Sequence, residues 1–162
     1  MSAGHEALVD RFYRAFAAKD HATMAACYHR EARFSDPVFP DLDYTQVTSM
    51  WRMFCRPGGD LVVEHSDVHA EGDVATAHWD ARYSFPATKR PVLNRIDARF
   101  ELKDGLIWRH RDSFDFWRWT MMALGPAGVL LGWSPLVKNK VRREARKRLD
   151  EFIAQSAPSS PT

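Results

Sequence analysis

The chain's 162 residues, 45% hydrophobic and 12% aromatic, suffice for one domain around a single sizeable core. With 23 Lys and Arg against 21 Asp and Glu the formal net charge is +2, too near balance for a general nucleic-acid binder, so no nucleic-acid partner is expected. Cys27 and Cys55 make no metal-ligand spacing and no basic leader with an apolar core opens the chain, so reduced thiols, a cytoplasmic location and no metal are expected.

Leu8, Val9, Phe12, Tyr13 and Phe16 recur at helical spacing and predict an amphipathic helix over 5–19. Asp20 can cap a shorter second helix carrying Met24, Cys27 and Tyr28. "ARFSDP" reads as a short strand stopped at Pro37, and Val47, Met50, Trp51 and Phe54 predict a helix over 44–54 that "RPGGD" ends. Four strand-like runs follow, 61–70, 74–85, 92–102 and 106–116, joined by turns at Gly72 and Gly105 and by a longer loop over 86–91. The order predicts an α+β fold over 1–116, in which a curved antiparallel sheet wraps around the N-terminal helices as a cone with an internal pocket. Residues 117–155 are expected as a helical extension packed on the same domain, and 156–162 as a disordered tail. The apolar run from Trp119 to Trp133 is too short to span a bilayer and is broken by Gly125, Pro126 and Gly128. After it, Ser134 can cap a basic helix with Pro135 in its first turn and Val137, Val141, Ala145, Leu149 and Phe152 or Ile153 as its apolar stripe. A helix laid over the cone with its basic face in solvent is expected; rest on an anionic membrane or partner is the alternative.

Strand phase sorts the polar candidates, because one buried face fixes the register. Ile96, Ala98, Phe100 and Leu102 make an inner face, which sends Asp97 outward with Arg95, Arg99 and Glu101. Ala75, Ala77, Trp79, Ala81, Tyr83 and Phe85 likewise leave His78, Asp80 and Arg82 outside in a charged ladder. In the last strand Arg109 and Arg111 are poor pocket linings, so Trp108, His110, Asp112 and Phe114 are predicted to face in. Asp36, in "RFSDPVFP", has two readings: a turn residue before Pro37, or a carboxylate at a hydrophobic rim whose burial would make it a usable base. Tyr13, Trp51, Trp79, Phe100 and Trp108 are the expected substrate-binding walls, although a helix facing a sheet buries such residues in any case.

The stretch "FYRAFAAKDHATMAACYHREARFSDPV", followed later by "ARFELKDGLIWRHRDSFD", resembles the nuclear-transport-factor-2-like superfamily over roughly residues 5 to 116. That group includes ketosteroid isomerase, SnoaL-like polyketide cyclases, limonene epoxide hydrolase and scytalone dehydratase. The resemblance places Asp36 where ketosteroid isomerase has its general base. It matches Asp112 to the pocket carboxylate of the cyclases and the epoxide hydrolase, and His110 to the His of a cyclase-type His-x-Asp. The isomerase's oxyanion pair is not matched, since its Tyr falls at Phe12, one step from Tyr13, and its acid at the outward Asp97. The resemblance thus implies acid–base catalysis by Asp36, His110 and Asp112 without a cofactor, of isomerase, cyclase, dehydratase or hydrolase type. A small hydrophobic carbonyl compound is the implied ligand and a homodimer the implied assembly. A non-catalytic small-molecule-binding or dimerisation module of the same fold is the alternative.

Overall fold

Helix α1, Ser2–Ala17, opens the computed structural model, which describes residues 2–157. It buries Val9, Phe12, Tyr13 and Phe16 on one face, as their spacing requires. Asp20 then caps α2, His21–Ala26, by accepting from the Thr23 amide at 3.1 Å. This helix is one and a half turns long and stops before Cys27, so Tyr28, expected on it, instead begins β1, Tyr28–Ser35. A capping box between Asp43 and Gln46 starts α3, Tyr44–Phe54, at the expected residue.

The four later strands form the expected meander: β2, Val62–Glu71, β3, Val74–Ser84, β4, Pro91–Lys103, and β5, Leu106–Ser113. They stand in one open five-stranded sheet of order β1-β5-β4-β3-β2. The sheet is mixed rather than wholly antiparallel, because β1 pairs parallel with β5, Phe34 in register with His110 and Ser35 with Arg111. Alternation along β4 is as predicted: Ile96, Ala98, Phe100 and Leu102 are buried while Asp97 is exposed and pairs with His78 at 2.9 Å. His78 also meets Asp80 at 2.8 Å, which completes the outer charged ladder.

Strand β5 ends at Ser113 rather than Phe116, since Asp115 turns the chain into α4, Phe116–Leu124, by accepting from the Arg118 amide. A short α5, Pro126–Leu131, and the long α6, Pro135–Ser156, follow. Leu149 of α6 is fully buried in the main core, with Ala145 and Ile153 packed beside it. The apolar stripe of α6 therefore lies against the α3 side of the cone, and Arg142 donates to the Pro37 carbonyl at 2.9 Å. Residues 158–162 of the expected tail lie outside the described residues.

Candidate active site

Parallel pairing of β1 with β5 builds the site. Phe34 lies beside His110, and because side chains alternate along a strand, Asp36 and Asp112, each two residues on, follow on that same inner side. Asp36 is a turn residue, and it also stands where burial acts on its carboxyl. Its Oδ1 accepts from the amides of Val38 at 2.7 Å and Phe39 at 2.6 Å, which makes it the turn residue after β1. Burial meanwhile pushes its carboxyl up to about 7, the Asp112 charge adding to the rise while the two amides and the Arg142 guanidinium oppose it. Asp36 keeps a strip of accessible surface, whereas the side chain of Asp112 is 2% exposed.

His110 is not a free proton carrier. Its Nδ1 lies 2.6 Å from the Tyr28 hydroxyl and its Nε2 2.9 Å from Asp112 Oδ1. Trp51 Nε1 can only donate, and does so to Tyr28 Oη at 2.9 Å. The assignment that satisfies every proton has Tyr28 donating to His110 Nδ1 and the imidazole donating from Nε2–H to Asp112. Both ring nitrogens are thereby engaged within the protein. Phe34, Phe100 and Phe12 enclose the ring at centroid distances of 4.9, 4.3 and 5.8 Å. His110 thus links Asp112 to Tyr28 through its two ring nitrogens.

The expected walls divide in the same way. Phe12 stands edge-on to Tyr13, Tyr28, Trp51 and Phe100, so Trp51 and Phe100 are core rather than lining of an open hollow. Tyr13 and Trp79 are also buried, yet the Tyr13 hydroxyl and Trp79 Nε1 have no hydrogen-bond partner among the described residues. A buried donor left unpaired is costly, and the two rings that carry these donors lie 6.0 Å apart. Burial and the nearby Asp112 charge raise the Tyr13 phenol well above its ordinary value.

Trp108 faces the wrong way for a wall. A bulge between the Glu101–Arg109 and Leu102–Ile107 pairs shifts the phase by one residue, so Ile107 is buried in its place. The Trp108 ring lies instead under Arg109, 3.7 Å from its guanidinium carbon, and near Lys103.

Two polar residues that the sequence pattern does not mark stand at the site, Tyr28 and Arg142 from α6, and a third, Asn94, is buried on the inner phase of β4. Asn94 carried a usable signal, since it stands two residues before Ile96. Tyr83 was placed on the inner face only as an apolar residue; its hydroxyl accepts from Trp119 Nε1 at 2.8 Å and feels the Asp36 charge. Tyr83 also lines an open cleft of about 430 Å³ with Val92 and Met122, and neither Asp36 nor Asp112 is among its lining residues. A second cleft, of about 520 Å³, runs between Phe39 and α6. Among the described residues no cluster of three or more His, Cys, Asp or Glu is arranged to hold a metal ion.

Comparison with known proteins agrees with this architecture. The family model described as a SnoaL-like domain matches residues 9–110, well over half of the chain, and ends two residues before Asp112. The chain belongs to that family. No curated protein matches its sequence. Among solved structures, an LEH-like epoxide hydrolase from M. tuberculosis is 19% identical with a TM-score of 0.61, over 84% of this chain and 96% of that one. A protein described as a SnoaL-like polyketide cyclase, from Jannaschia sp. CCS1, is 15% identical with a TM-score of 0.66, over 77% and 94%. TsrD from Streptomyces laurentii is 26% identical with a TM-score of 0.57, over 70% and 89%.

Proposed function

We propose that this chain is an acid–base enzyme that works without a cofactor on a small hydrophobic carbonyl compound, with Asp36 as the base. The observation that carries the reading is the pair of carboxylates at the ends of β1 and β5, one of them raised to about 7 inside an aromatic surround. Near neutral pH such a carboxylate is part ionised, able to take a proton from carbon beside a carbonyl and return it elsewhere. The unpaired Tyr13 hydroxyl is the donor available to the oxygen on which charge develops. Asp112, bonded to His110, raises the Asp36 carboxyl and so strengthens it as a base. Isomerisation, cyclisation and dehydration can each begin with this proton transfer, whereas in hydrolysis the same base would take its proton from the attacking water.

The test is exchange of carbon-bound hydrogen for deuterium in small cyclic ketones and β-dicarbonyl compounds, followed by NMR in D₂O. The wild-type chain should accelerate exchange over buffer, and Asp36→Asn should lose about 10²–10⁴-fold of that acceleration. A second reading, a non-catalytic binding module, has one observation in its favour: Phe12 and its ring neighbours fill much of the cone. Saturable binding of these compounds with no exchange above buffer would favour that reading and overturn Asp36 as a base toward carbon.

A further inference from the structure

The apolar surface of the molecule is concentrated at the junction of α5 and α6, far along the chain from the carboxylates. Leu130, Trp133 and Leu136 are 71%, 73% and 80% exposed, and Val129 and Leu131 are at least half exposed beside them. Scattered apolar residues on a surface are ordinary, but a contiguous group containing Trp and Leu marks an interaction site.

This group is held outward rather than loosely attached. Gly128 and Gly132, one helical turn apart, are buried against α4, where a Cβ at either would overlap Thr120. Close packing of α5 on α4 therefore fixes which face of α5 looks away from the protein. The Trp133 indole is pinned in turn, donating from Nε1 to the Leu130 carbonyl at 2.9 Å. The result is a convex apolar knob on a rigid base.

Charge completes the pattern. Along α6, Leu136 is followed at helical spacing by Lys140, Arg143 and Lys147, all exposed. Between residues 138 and 148 the helix carries seven Lys and Arg against one acidic residue, Glu144. An apolar tip continuous with a cationic stripe is the arrangement by which a surface helix enters the interface of an anionic bilayer. A second copy fits less well, because a two-fold contact through this face would bring two cationic stripes together. No helix among the described residues is long and apolar enough to cross a membrane, so the contact is with its surface.

We propose that the α5–α6 junction docks the protein onto anionic lipid, Leu130, Trp133 and Leu136 entering the headgroup boundary while Lys140, Arg143 and Lys147 contact lipid phosphates and carboxylates. The proposal stands whether or not the carboxylate site is catalytic.

The experiment is co-sedimentation of the full chain with vesicles of phosphatidylcholine containing about one-third phosphatidylserine, compared with pure phosphatidylcholine, at low and at about 0.5 M salt. Binding to the anionic vesicles at low salt is expected, with a blue shift of tryptophan emission that Trp133→Ser removes. The double variant Leu130→Ser, Trp133→Ser should bind at least about tenfold more weakly. Neutralising Lys140, Arg143 and Lys147 to Gln should cost about fivefold per residue at low salt. These side chains are exposed, so unchanged thermal melts will separate lost docking from lost folding. Absence of sedimentation with anionic vesicles, or equal sedimentation of wild type and variants, overturns the proposal. So does a concentration-dependent dimer that the Leu130→Ser, Trp133→Ser pair dissociates without vesicle binding, since the face would then belong to a second copy.

Discussion

Asp36 shows how one side chain can end a strand and stay available for chemistry. Its Oδ1 holds the Val38 and Phe39 amides, while burial and the Asp112 charge hold its proton. The turn and the buried setting were legible in Asp-Pro flanked by large apolar residues, because that dipeptide fixes the backbone and the neighbours fix the dielectric. What was not legible is the partner that locks His110: Tyr28 follows too short a helix for periodicity to exclude it from that helix. The raised carboxyl also sets a sign for stability. Between about pH 4 and pH 7 the folded chain keeps a proton that the unfolded chain releases, so Asp36's favourable share is full below pH 4 and lost as pH rises through 7. Asp36→Asn, which retains the Oδ1 acceptor, should melt like wild type near pH 4 and higher than wild type at pH 8. Asp112→Asn, which can still accept from His110, should move the Asp36 midpoint below about 7 in a carboxyl NMR titration. An unmoved midpoint would mean that the two groups do not share a site.

The β5 bulge decides which residues the last strand offers to the interior. Strict alternation read backward from Phe114 places Trp108 inside, and because Ile107 is also apolar, nothing in the pattern marks the slip. Upstream the same reasoning succeeded, since β4 has no irregularity between Pro91 and Glu101 in its pairing with β3. The parallel place of β1 beside β5 was beyond it, because periodicity names a face and not a neighbour. Two substitutions check the bulge by thermal and denaturant unfolding. Ile107→Ala, at a fully buried position, should cost about 2–5 kcal/mol. Trp108→Ala, which removes an outer stack on Arg109, should cost about 1 kcal/mol or less and leave ligand binding unchanged. The reverse order would restore Trp108 to the interior.

Across the whole molecule, α6 ties the C-terminal region to the candidate site. Its apolar stripe was legible as a packed face, but its destination was not, because amphipathicity does not say which surface a helix covers. Leu149 enters the main core and Arg142 reaches the backbone of Pro37, one residue from Asp36. The Arg142 charge also restrains the Asp36 carboxyl. Arg142→Gln should therefore raise the Asp36 midpoint above about 7 while helical content by circular dichroism stays unchanged; an unaltered midpoint would separate α6 from the site. The open sheet has a further consequence, at its outer margin. Strand β2 lies at one border, where its register with β3 shifts between Ser66 and His69, Asp67 takes a left-handed backbone, and the Glu6 carboxylate occupies the Ala70 amide at 3.0 Å. A foreign strand seeking to extend the ladder would meet a kink and an amide already taken, so this border resists runaway stacking into fibrils without the sheet having to close on itself.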